Sequence, residues 1–405
     1  MRSTDATVSR TAAVALGVTL AIQVFVSLAA TATSVLAPEI ARDIGVAPKL
    51  VGVFVGLVYA GGMAASLASG GFIERFGAIR VSQVCVLFCA AGAAAMPAIA
   101  SAGASYAALL VAAPLVIGLG YGPITPASSQ VLARTAPPRR MALTFSIKQT
   151  GVPAGAALAG AVLPGVALAI GWRAAFLAIA GAGVLIAVLA QSTRSGLDAD
   201  RHPARMLSLG GVFAPLKLLF ASPTLIELAL VAFFYAATQV CLMSFLVVYL
   251  TETLRYSLVA AGFALTVANL GGIVGRIAWG GVADQFIRPR ALLGLLGIIA
   301  AACAFATASF STAWPTAAQL VVCGLFGATA IGWNGVQLAE VARHSPPGQA
   351  GAVTGAAGFV TFAGVVVGPP TFALLAAITG SYRNGFAAIG TASLLCGLAI
   401  LRRSR

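Results

Sequence analysis

The sequence predicts an all-α integral membrane protein, twelve transmembrane helices in two related six-helix halves, and three observations carry that reading. Mean hydropathy is +1.00, and only 8% of the residues are charged, where a soluble domain carries roughly 25%. Apolar runs of about 20 residues, long enough to cross a bilayer, recur along the whole 405-residue chain. Stretches of the first half also return in the second, in the same order and at almost one spacing.

The first run, Thr11 to Ala37, follows Arg2 and Arg10. A cleaved leader has an apolar core of only about 7 to 15 residues, so this run reads as a retained first span. Helices are then predicted near 49–70, 78–98, 105–130, 142–168 and 174–191. A polar stretch beginning STRSGLDADRHPAR follows, too short to hold a catalytic domain, and its later part GVFAPLKLLF has the composition of an interfacial helix. Six more helices are predicted near 223–250, 258–281, 290–310, 316–341, 350–377 and 385–401. Lipid leaves no backbone group unpaired, so these are helices rather than strands.

The repeat is read from three patches. GGMAASLASGGFIERFGAIR from Gly61 matches GGIVGRIAWGGVADQFIRPR from Gly271, ARTAPP from Ala133 matches ARHSPP from Ala342, and WRAAF from Trp172 matches YRNGF from Tyr382. The predicted organisation is an N-terminal half 1–190, a cytoplasmic linker 191–222 and a C-terminal half 223–405, with the halves parallel and related by an axis along the membrane normal.

Charge gives the orientation. Of the 24 cations, Lys148 and Arg276 fall inside spans. Arg42, Lys49, Arg173, Arg255 and Arg383 fall in outer loops, and the remaining seventeen lie on the side that holds both termini and the linker. That bias makes the termini cytoplasmic, and the expected location is the bacterial cytoplasmic membrane. The net charge of +14 is spread over short loops rather than along a basic helix, so nucleic acid is excluded as a partner. The six cysteines lie in apolar runs without metal-ligand spacing, and both histidines lie in loops. No catalytic cluster, metal site or cofactor motif is present, so the chain does not read as an enzyme. A monomer in the bilayer is expected, with a small molecule as its partner.

The stretch GGFIERFGAIR, residues 70–80, carries a resemblance. It is similar to the loop signature between the second and third helices of the major facilitator superfamily, with Gly71, Glu74, Arg75, Gly77 and Arg80 matching position by position. Glu74 stands where aspartate is usual. The second half keeps Gly281, Asp284 and Arg290, with Gln285 where arginine would be. The resemblance implies a secondary transporter working by alternating access, with the acid of this loop accepting hydrogen bonds at a neighbouring helix N-terminus as part of a gate. Gly71, Glu74, Arg75, Gly77, Arg80, Asp284 and Arg290 are the implied gating residues. The spaced-glycine pattern of the family's antiporters is absent from GVPAGAALAGAVLPG in helix five and only partly present in helix eleven, at Gly355, Gly364, Gly368 and Pro369.

In parallel-repeat transporters, Gly or Pro interruptions at matching places mark the substrate site. YGPITPASSQ in helix four and IGWNGVQLAE in helix ten are such a pair. They nominate Tyr121, Thr125, Ser128, Trp333, Asn334 and Gln337, with Asn269, Gln23, Tyr59, Tyr235 and Gln239 behind them. For each, helix–helix hydrogen bonding competes with cargo contact. Charges inside spans are functional suspects because burying them is costly, and there are four: Lys148, Glu227, Arg276 and Glu340. Lys148 and Arg276 each lie eight residues, about 12 Å, from a loop charge, and in the resembled family helices five and eight face each other. An anion between two such cations, with Gln149 assisting, is the sharper reading. Snorkelling of Lys148 to the headgroups is the other. The expected cargo is a small organic anion of carboxylate type, with proton coupling through Glu227 or Glu340. The alternative is a proton-coupled efflux pump for drugs or amphipathic metabolites.

Overall fold

A computed structural model describes residues 2–44, 50–101, 106–204 and 213–403. Among them the secondary structure is helical throughout, and twelve helices are long and apolar enough to cross a membrane. In order these spans are Arg10–Leu36, Val53–Phe76, Ala78–Ala98, Ala108–Thr135, Pro138–Ile170, Trp172–Leu197, Pro223–Glu252, Ala260–Gln285, Pro289–Ala308, Thr316–His344, Ala350–Thr379 and Tyr382–Arg402, referred to below as spans one to twelve. Lys49, Arg205 and Arg405, counted in the charge bias, lie outside the described residues, as do the side chains of Arg2, Arg42 and Arg403. Of the linker, 205–212 lies outside them too, and Ala214–Ala221 is a short helix.

By its contacts the chain groups into two units. One holds Met1–Pro137, Thr150–Ala221 and Ser345–Phe359; the other holds Pro138–Gln149, Ser222–His344 and Val360–Arg405. The first part of span five therefore groups with spans seven to ten and twelve, and the first part of span eleven groups with spans one to four and six.

The sequence repeat is visible as a repeated packing device. In the first unit, a Cβ on Gly118 of span four would strike the Val58 carbonyl of span two. In the second, a Cβ on Gly327 of span ten would strike the Ala268 carbonyl of span eight. Only glycine permits these approaches, and close backbone contact is how helices associate where lipid removes the hydrophobic drive.

Three spans are interrupted, each for a local reason. Span four ends one helix at Tyr121 and begins another at Ile124; Gly122 and Pro123 lie between, and proline removes a backbone donor. Span ten breaks between Ala330 and Asn334, across Ile331, Gly332 and Trp333. Span five breaks at Thr150, between helices Met141–Gln149 and Gly151–Ile170. This third break was not expected from the sequence. Its signal is Pro153, which has no N–H to return to the carbonyl of Gln149 four residues earlier.

Candidate functional site

The freed carbonyl at the end of helix Met141–Gln149 is where the charged site of the second unit forms. Arg276 of span eight donates from its guanidinium to the Gln149 carbonyl oxygen at 2.7 Å. The Lys148 ammonium donates to the Gln149 side-chain Oε1 at 3.1 Å. Both cations are buried, Lys148 at 1% exposure and Arg276 at 2%. Two positive side chains from different helices therefore converge on one glutamine, one on its backbone and one on its amide. Asn269 lies seven residues before Arg276 on span eight, two turns away on the same face, and its amide donates to the Leu265 carbonyl of its own helix.

The helix that presents Lys148 is held at its other end by a carboxylate. Asp284, at the end of span eight, accepts the N–H groups of Ala142 at 3.0 Å and Leu143 at 2.8 Å. This is the favourable end of the helix dipole for an anion. Arg343 approaches the same carboxylate at 3.3 Å and also pairs with Glu340 at 2.8 Å. Glu227 is paired with Arg290. Both span carboxylates named as proton-coupling candidates are thus engaged by an arginine in this structure.

The remaining nominees of the second unit meet in pairs. Asn334 donates to Gln239 Oε1 at 3.2 Å, and Gln337 donates to the Leu228 carbonyl at 3.3 Å. Trp333 is 1% exposed, gives its indole N–H to Ala330 and meets Tyr235 edge to face. In the first unit, Thr125 lies 3.5 Å from Gln23 Oε1, Ser128 donates to the Thr125 carbonyl, and Tyr121 meets Tyr59 edge to face.

The loop signature of the first unit has an acid that sequence reasoning missed. Asp198, just past span six, accepts the N–H groups of Ile79 at 2.7 Å and Arg80 at 3.1 Å, at the start of span three. Gly77 makes room for it: its φ is +92°, and a Cβ there would overlap the Asp198 carboxyl group. Arg194 approaches Asp198 at 3.4 Å. Burial raises the Asp198 carboxyl above its ordinary range, opposed by the two backbone donors and Arg194, while Asp200 adds to the rise. The Glu74 backbone carbonyl accepts the N–H of His202, and the Arg75 guanidinium lies 5.3 Å over the Phe76 ring. Gly71 is half-buried within span two. The available signal for Asp198 was scarcity: the chain has only ten acids, and two of them stand together as Asp198 and Asp200 in a stretch read as a plain linker.

The Major Facilitator Superfamily profile matches residues 19–369. A hexuronate transporter of Bacillus subtilis (strain 168) is 22% identical over 311 residues, covering 71% of each chain. The Arabidopsis thaliana protein named Probable anion transporter 5 is 30% identical over 198 residues, 45% of this chain and 46% of that one. Among solved structures, the fucose:proton symporter of E. coli superposes with a TM-score of 0.76 at 14% identity, over 98% of this chain and 100% of that one. The human organic anion transporter MFSD10 gives a TM-score of 0.71 at 17% identity, over 97% and 99%. With twelve candidate spans and a family match over most of its length, the chain belongs to the Major Facilitator Superfamily and is a multi-pass membrane transporter rather than an enzyme.

Proposed function

We propose that this transporter moves a small organic anion of carboxylate type by alternating access, with protons as the coupling ion. One observation carries the reading: Lys148 and Arg276, both buried, converge on Gln149. Two cations at such close quarters repel, and an anion between them offsets both the repulsion and the cost of holding charge inside a membrane. Glu227 and Glu340 are engaged by Arg290 and Arg343. The names of the two curated relatives, a hexuronate and an anion transporter, point the same way.

In this reading Lys148, Gln149 and Arg276 bind the carboxylate, and Tyr121, Thr125, Ser128, Asn269, Trp333, Asn334 and Gln337 line its path. The loop residues Gly71, Glu74, Arg75, Gly77, Arg80, Asp284 and Arg290 serve the gate. Glu227 and Glu340 exchange protons by releasing their arginines. The repeat supports two six-helix halves, 1–190 and 223–405, joined by the linker 191–222. The cation bias supports cytoplasmic termini and linker, in a bacterial inner membrane, and the chain works as a monomer.

The test is uptake by the purified protein in liposomes together with a thermal-shift screen of carboxylates, neutral sugars and cationic drugs. Carboxylates should stabilise the protein, and Lys148→Ala should weaken that effect about 10- to 100-fold, the worth of one charge-assisted hydrogen bond. Lys148→Arg should restore it in part, since the guanidinium is planar and larger. A response to cationic drugs alone, or an unchanged carboxylate affinity in Lys148→Gln, would refute the anion reading.

A further inference from the structure

The first unit carries an apolar groove of about 590 Å³ that shares only Arg80 with the residues proposed for transport. Spans two, three and four form it, with Phe72, Phe76, Val84, Phe88 and Leu119 in its walls and Arg80 at one end. Those five apolar side chains are all exposed. Arg80 and Phe88 are eight residues apart on one helix, so the groove runs about 12 Å along span three from the loop end towards the bilayer interior. An apolar groove of that length and volume can take part of a lipid tail.

Its charged end is built. The Arg80 backbone is pinned by its N–H bond to Asp198, which sets where the side chain leaves the helix, and its stem lines the groove. Asp198 itself is approached by Arg194, and no ion pair engages the Arg80 guanidinium among the described residues. Arg75 lies over Phe76 at the same end, adding a second cation where span two meets the loop.

We infer that this groove holds one anionic phospholipid, with an acyl chain between spans two, three and four and the phosphate on Arg80. The charge at its mouth selects an anionic headgroup over a zwitterionic one. A basic residue near the membrane surface favours anionic lipid by about fivefold in affinity. The inference rests on the membrane assignment and is independent of the cargo.

The experiment is native mass spectrometry of the detergent-purified full-length protein, titrated with phosphatidylglycerol or phosphatidylcholine of identical chains. Wild type should retain one phosphatidylglycerol with about fivefold preference. Arg80→Gln should bring phosphatidylglycerol down to the phosphatidylcholine level, and Arg80→Lys should keep the preference. Val84→Trp, which fills the groove from an exposed position, should lower retention of both lipids. Equal retention of the two lipids by wild type, an undiminished preference in Arg80→Gln, or unchanged retention in Val84→Trp would each overturn the assignment.

Discussion

Two junctions of this molecule are built on one plan and differ in charge at their centres. In the second unit, the helix Met141–Gln149 packs on spans eight and ten, where Ser146 is pressed against Gly280 and Gly335. In the first unit, the start of span eleven packs on spans two and four, where a Cβ on Gly70 would come within 2.7 Å of Ala352. Gly70 and Gly280 are partners in the sequence repeat, as are Ser66 and Arg276. Each junction ties a polar side chain to a helix carbonyl: Ser66 to Gly355 at 3.1 Å, Arg276 to Gln149 at 2.7 Å. Each also satisfies the N-terminal end of its helix, Gln130 accepting from Gly351 at 2.9 Å and Asp284 from Ala142 and Leu143. The close approaches and helix-end partners are common to both. The difference lies at the centre, where the first junction has the Ser66 hydroxyl and the second has the Arg276 guanidinium with Lys148 beside it.

The largest expected effect comes from removing that asymmetry at its centre. Arg276→Ala leaves the Gln149 carbonyl buried without this donor, and losing a charged hydrogen bond costs about 1.5 to 3 kcal/mol before the orphaned acceptor is counted. Thermal unfolding should register the loss. In a Pro153→Ala background, where the substituted residue can return an N–H to the Gln149 carbonyl, the loss should shrink. A double-mutant cycle with no coupling would break the explanation.

Asp284→Ala should come next, at about 1 to 2 kcal/mol, the range for a carboxylate at a partly buried helix N-terminus. Asp284→Asn should recover part of this, since it keeps an acceptor without the charge. Full recovery in Asp284→Asn under thermal denaturation would mean that the charge at this helix end has no energetic consequence.

The smallest expected effect is the pH dependence at Asp198. Its carboxyl is raised in the folded protein, chiefly by burial, so the native state holds this proton more tightly than the unfolded chain. Stability should therefore fall as pH rises from the ordinary carboxylate value, about 3.9, through the raised value, and level off above it. Asp198→Asn should flatten that part of the curve. A wild-type slope of opposite sign in this window would show that the two backbone donors outweigh burial.

Much of this architecture was legible in the residues themselves. Twelve apolar runs dictate twelve helices because a lipid-facing backbone has no other way to satisfy its hydrogen bonds. The interruptions in spans four and ten were legible from Gly122, Pro123 and Gly332, since glycine and proline act on the chain locally. The break in span five was equally local, encoded by Pro153, but its apolar surroundings gave no reason to look for it. Rise per residue put Lys148 and Arg276 at comparable depths, and it stops there. That both reach Gln149, one at the carbonyl and one at the amide, depends on how span eight lies against helix Met141–Gln149, and no spacing along one helix contains that distance. Asp198 is the same case: its acidity is in the sequence, while its place beneath Gly77 is set by a chain return across more than a hundred residues. Local rules act within a few residues and so can be read from order alone. Contacts between distant segments are selected by packing, and only the tertiary structure decides which of the permitted partners meet.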